Sequence, residues 1–173
     1  MRSLTTLVLA LIAFGAASAA RAQSTATVSA DVTIPTVLSV SIDKASVSFS
    51  PVASDYDTGW VDAEAADNDA VLTHKGNVAH SVYISTTSEY FDASNPANDN
   101  LKPSSHLQWR KDNAGSFTGI TFTNDPAVDA DAVVANATKG TGTAEVDYRL
   151  QLDLTTDAPD TYTLDFVYTI AAD

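Results

Sequence analysis

Three histidines, 22 acidic residues and no cysteine are the raw material for chemistry in this chain of 173 residues. A nucleophilic centre needs a base within hydrogen-bond reach and a third group to orient that base. The imidazoles that could serve are His74, His80 and His106. No Gly-x-Ser-x-Gly elbow is present, and Ser104-Ser105-His106 reads as a polar loop. Carboxylate pairs of the kind that hydrolyse glycosides arise by chance among so many acids, so solvated surface charge is their plainer meaning. Without cysteine there is no thiol catalysis and no thiolate metal site. The expectation is therefore a protein that is not an enzyme.

Binding chemistry is better represented. Asp55-Tyr56-Asp57-Thr58-Gly59-Trp60-Val61-Asp62 places carboxylates two apart beside a glycine, so Asp55, Asp57 and Asp62 are candidate calcium ligands and calcium is the one cofactor to consider. The segment lacks the third alternating ligand and the distal Glu of an EF-hand. Asp67-Asn68-Asp69 and residues 92–100 are similar loops whose ordinary use is turn formation. His74 and His80 flank Lys75-Gly76-Asn77 and could face each other across a hairpin as half of a zinc site, or His80 could be a hydrogen-bonded side chain of an alternating strand. Trp60, Tyr56, Tyr90, Phe91 and Trp109 are the aromatic candidates for stacking on a sugar ring, Trp60 and Tyr56 foremost, with Trp60 the better one because it follows Gly59 in an expected loop. Trp109 alternates with Leu107 and belongs to a core.

Nine basic residues against 22 acidic ones give a net charge of −13. Nucleic-acid binding needs a cationic footprint to release counterions, and the pair Arg110-Lys111 is the largest basic cluster. The same sign opposes adsorption to anionic lipid. High net charge does favour solubility.

These side chains must be positioned by strands. Residues 1–22 read as a secretory signal peptide: Arg2, an apolar run from Leu4 to Phe14 that is too short to span a bilayer, then small residues up to Ala20-Arg21-Ala22. Residues 23–173 then form one exported domain with no transmembrane segment. Its apolar residues recur with period two, which puts them on one face of a strand. Ala144, Val146, Tyr148, Leu150, Leu152 and Leu154 alternate with polar neighbours, and after Thr156-Asp157-Ala158-Pro159-Asp160 a second set follows at Tyr162, Leu164, Phe166, Tyr168 and Ile170. The two runs predict a long antiparallel hairpin. Further strands are expected at 70–73, 78–86, 107–111, 117–122 and 131–135, and residues 62–70 have room for one helical turn.

Seven to nine short strands separated by Gly, Pro, Asn and Asp turns predict an all-β, immunoglobulin-like antiparallel sandwich. A transmembrane barrel also alternates, but aromatic girdles are missing and Asp- and Asn-rich loops occupy too much chain. At the N-terminal end Val28, Ala30, Val32 and Ile34 alternate in a nearly uncharged stretch, residues 24–34, that ends at Pro35. Two uses fit it: the first strand of its own domain, or a strand donated to the sheet of a neighbouring copy.

The ending Ala158-Pro159-Asp160-Thr161-Tyr162-Thr163-Leu164-Asp165-Phe166-Val167-Tyr168-Thr169-Ile170 resembles the closing "P-G-x-Y-x-x-x-x-x-Y" hairpin of bacterial secreted β-sandwich surface proteins of the WxL, spore-coat-U and pilin-like kinds. Asp160 stands where those sequences carry Gly, and no Trp-x-Leu pair occurs. The resemblance covers about the last 30 residues and implies a surface or assembly role without catalysis. Together with the residues, it gives two expectations. One is an extracellular, cell-surface or periplasmic structural protein, with fibre formation through residues 24–34 and copies of itself as partner. The other is a carbohydrate-binding module whose partner is a surface polysaccharide.

Overall fold

The computed structural model describes residues 26–173. The signal-peptide reading and the start of the mature chain lie outside them. Two units are distinguished, one ending at Ile34 and the other spanning Pro35–Asp173. In the first, the described residues belong to no strand or helix and are exposed, with Val28, Val32 and Ile34 at 91%, 79% and 76%. A first strand over residues 28–34 is therefore not what forms. The second unit's first strand starts instead at Leu38.

That unit holds eleven strands, joined by two single-turn helices and two short 3₁₀ turns. The strands are β1 (Leu38–Ile42), β2 (Trp60–Asp62), β3 (Ala70–Gly76), β4 (His80–Ser85), β5 (Asp92–Ala93), β6 (Leu107–Lys111), β7 (Ala114–Gly119), β8 (Asp131–Ala137), β9 (Gly140–Gln151), β10 (Tyr162–Thr163) and β11 (Val167–Ala172). The helices are α1 (Asp55–Thr58) and α2 (Pro126–Asp129). Because β2, β5 and β10 are only two or three residues long, eight strands remain that are long enough to show alternation. All named strand pairs are antiparallel. The fold is an all-β sandwich.

Strand β9 organises the larger sheet. Along one side it pairs with β3 from Gly140 to Val146 and with β2 from Arg149 to Gln151; along the other it pairs with β6. Strand β1 extends the sheet beyond β3, and β7 extends it beyond β6. The smaller sheet runs β11-β4-β8, and β5 pairs with β10. Ala144, Val146, Tyr148 and Leu150 of β9 face inward with Leu72, Leu107 and Trp109, and meet Val82, Ile84 and Val133 from the smaller sheet. Burying each large aliphatic or aromatic side chain contributes about 1.5–3 kcal/mol. Strand β4, flanked on both sides, buries five of its six residues, as a central strand must.

The long closing hairpin does not form. Strand β9 already has neighbours on both edges, so the run after Pro159 has nowhere to add; it crosses over and pairs with β5 and β4. Alternation tells which face of a strand is buried, not which strand lies beside it. The alternation itself holds, since Tyr162, Leu164 and Phe166 are each more buried than the residues between them. Leu154 lies past the end of β9 and is 75% exposed. Residues 62–70 make a turn at Glu64, whose carbonyl accepts from Asp67 N and Asn68 N, and then enter β3. Among the described residues no helix is long and apolar enough to cross a membrane.

Candidate functional site

A cavity opens where the edges of the two sheets approach, with Ile42 of β1 and Tyr168 of β11 among its lining. It is a groove of about 380 Å³. Ile42, Val47 and Phe49 form one wall, and Tyr162, Leu164 and Phe166 form the other, with Tyr148 among the lining residues. Residues 45–50 and 164–166 leave strand geometry here, so the sandwich is incomplete along this side. Across it, the hydroxyls of Tyr148 and Tyr168 meet at 2.5 Å and tie β9 to β11. Burial pushes the Tyr148 phenol up to about 12, and that of Tyr168 higher still. Both stay protonated, and so the bond persists, at any physiological pH.

His74 and His80 do face each other, but across the two sheets and not across a hairpin. Consecutive strands β3 and β4 belong to opposite layers, and both imidazoles point between them. His74 Nδ1 and His80 Nε2 are 2.8 Å apart, and His80 Nδ1 lies 2.9 Å from the carbonyl of Val78. A carbonyl only accepts, so His80 Nδ1 carries a proton; with His80 in its neutral tautomer, Nε2 is the acceptor and His74 Nδ1 the donor. Burial holds the His74 imidazole below its ordinary range, with His80 and Lys111 adding to the effect. Two glycines make room. A Cβ on Gly76 would come within 2.6 Å of His80 Nδ1, and one on Gly142 would run into His74 Nε2. The two imidazoles are hydrogen-bonded to each other as a clasp between layers.

The acidic segment divides. Asp55 and Asp57 lie on α1, whose single turn ends at Gly59 with φ of 79°, a conformation that favours glycine. The Asp55 carboxylate accepts from Val52 N at 2.8 Å, and Asp62 sits on β2 opposite Arg149. Among the described residues no three His, Asp or Glu side chains come together as a metal site, and Asp55, Asp57 and Asp62 are no exception. Tyr56 packs against the core, whereas Trp60 is in strand β2, not in a loop, and is exposed. The partners of Trp60 come from across the sheet: the Arg149 guanidinium carbon lies 5.4 Å from its ring centroid.

Two polar assemblies, one buried and one at the surface, gave no clear signal in the sequence. Lys102, 2% exposed, donates to both oxygens of the Asp157 carboxylate at 2.8 Å and to the Gln151 carbonyl at 2.9 Å. Asp160 accepts from the Ser94 hydroxyl, Asn95 N, Asn98 Nδ2 and Thr161 N. The hydrogen bonds from Ser94 and Asn98 hold its carboxyl well below the usual range. The Asp160 side chain fastens residues 94–98 to the entry of β10. His106 Nδ1 is buried without a hydrogen-bond partner among the described residues, and burial followed by the nearby Lys102 lowers its affinity for a proton.

Sequence reasoning named Trp60 but missed Arg149, Phe117, Lys102 and the groove residue Phe49 as parts of assemblies. Their signal was positional: Arg149 belongs to the wet set of β9, and nothing local says that the wet set of β6 lies beside it. No protein-family model matches this chain, and no curated protein matches it.

Proposed function

We propose that this is an exported, non-enzymatic surface or matrix protein whose copies join by strand donation. Residues 24–34 of one copy would enter the groove between β1 and β11 of the next. The observation that carries the reading is the coexistence of an unpaired apolar segment and an open apolar groove. Val28, Val32 and Ile34 are among the most exposed large hydrophobic residues described, while Val47, Phe49, Leu164 and Phe166 line a cavity that no strand fills among the described residues. Exposed apolar surface of this kind marks an interaction site. Adding a strand to a sheet edge supplies main-chain hydrogen bonds, and alternate side chains entering pockets give specificity. Asp31 is the one charged residue among those described before Pro35, so insertion would bury little charge.

The test is electron microscopy and sedimentation of the mature chain. Full-length mature protein is expected to form filaments or a ladder of oligomers. Deletion of residues 24–34 should leave a monomer with an unchanged β-type circular-dichroism spectrum, and Phe166→Glu should block growth from the acceptor side. A peptide of residues 24–36 should bind the truncated protein and cap it. A wild-type chain that stays monomeric at high concentration would refute the reading, as would polymers that survive the deletion.

A further inference from the structure

The outer face of the larger sheet carries an assembly unrelated to the groove. Arg149 of β9 lies between two rings: its guanidinium carbon is 5.4 Å from the Trp60 centroid and 4.2 Å from that of Phe117. Arg110 of β6 approaches the same Phe117 ring at 4.6 Å. The spacing follows from strand order, since β2 and β7 flank β9 and β6 and their outward residues close over the two arginines. Arg149 Nε donates to Gln108 Oε1 at 2.6 Å, and the Gln108 amide donates to Gln151 Oε1 at 3.1 Å. The fork is thereby held in one orientation.

The two arginines differ in what they have left. Arg110 gives Nε to Asp147 and a terminal nitrogen to Asn113, both at 2.8 Å. Arg149 makes no ion pair among the described residues, although Asp62 stands directly opposite it in the ladder and the chain carries 22 acids. Its terminal amino groups have no hydrogen-bond partner among those residues either. A guanidinium that is aimed, stacked and unpaired presents two parallel N–H donors, the match for a carboxylate. Beside it are the Trp60 ring, still 39% exposed, and the Gln151 amide, an apolar face and a hydroxyl partner. The site is a strip along a sheet and not a pocket, so it suits a chain molecule.

We propose that this face binds a carboxylate-bearing polysaccharide, with Arg149 taking the carboxylate, Trp60 stacking on a sugar ring, and Gln108 and Gln151 completing the strip. The proposal stands apart from strand donation and survives or fails without it. Its probe is polygalacturonate in affinity electrophoresis and calorimetry with the mature protein, alongside the fully methyl-esterified polymer and polyphosphate. Retention by polygalacturonate, weakened by salt and absent with the methyl ester, is expected. Arg149→Gln should weaken binding at least tenfold. Arg149→Lys should recover only part, because an ammonium keeps the charge without the fork. Trp60→Ala should weaken binding as well, and all three variants should keep the parental circular-dichroism spectrum. The proposal is overturned if the wild-type protein ignores polygalacturonate, if it binds the ester or polyphosphate equally well, or if a folded Arg149→Gln protein binds as before.

Discussion

Two buried carboxylates, Asp157 and Asp147, face cations in this molecule with opposite degrees of completion. Asp157 is closed on every side: the Lys102 ammonium bonds both its oxygens, Asp153 N donates to one of them, and the third ammonium proton goes to Gln151. Asp147, on β9 and 1% exposed, receives Arg110 Nε on one oxygen, while the other has no hydrogen-bond partner among the described residues. Asp69 is the neighbouring acid. Burial first, and then the neighbouring Asp69, raise the Asp147 carboxyl above its ordinary range against the pull of Arg110. Burial alone therefore says little about purpose; the completeness of the hydrogen bonding separates a permanent clasp from a group ready to titrate.

The largest effect should come from breaking the closed pair. Lys102→Met leaves Asp157 charged, buried and uncompensated, which should destabilise the fold by about 3–5 kcal/mol, read from the urea midpoint. The double replacement Lys102→Met with Asp157→Leu should recover most of that loss. Arg110→Met should do less, because Arg110 is 29% exposed and water reaches the partner it leaves. Equal losses would remove the distinction between the two pairs.

Next comes the histidine clasp between the two layers. Gly142→Ala drives a methyl into His74 Nε2 and should destabilise by about 1–3 kcal/mol as an overpacking change. Tyr168→Phe, which leaves the Tyr148 hydroxyl alone, should lose about 1 kcal/mol. Thermal unfolding of each single variant measures both.

The smallest effects are slopes against pH, and they have opposite signs. His74 binds its proton more weakly folded than unfolded, so its contribution is whole above the ordinary value of 6.5 and is lost as pH falls below it. Asp147 binds its proton more tightly folded than unfolded. Its contribution is whole below the ordinary carboxylate value of 3.8 and is lost as pH rises through the raised one. His74→Gln should flatten the acid side of the stability profile, and Asp147→Asn should flatten the rise-related loss above the carboxylate range. Urea titrations across pH 3–8 separate them, and a shared sign would contradict the burial assigned to one of the two.

The fold class was legible because a half-buried strand alternates apolar and polar residues along its length, and β9 and the 162–170 run do so with few exceptions. Partner choice was not legible. The same alternation serves a hairpin and a crossover, and only the saturation of both edges of β9 decides between them. For the sites, His74 and His80 were expected to face each other across a hairpin and meet instead across the two layers; the glycines that admit them, Gly76 and Gly142, are 66 residues apart in sequence and declare nothing locally. Trp60 was legible as an exposed aromatic, while its neighbour Arg149 arrives from a strand some 90 residues away and gave no local signal. Lys102 sits in a loop with no period to read. Exposure of residues 28–34 was likewise open, since one pattern suits both an internal strand and a donated one.

Strand β9 has one further consequence, for how the protein opens. Its backbone amides are held by β3 and β2 on one flank and by β6 on the other, whereas β1 and β11 are each gripped along a single edge. Deuterium should therefore label β1 and β11 early and β9 last. A tug on either end of the chain would peel its margins one hydrogen bond at a time and leave the middle of the large sheet standing.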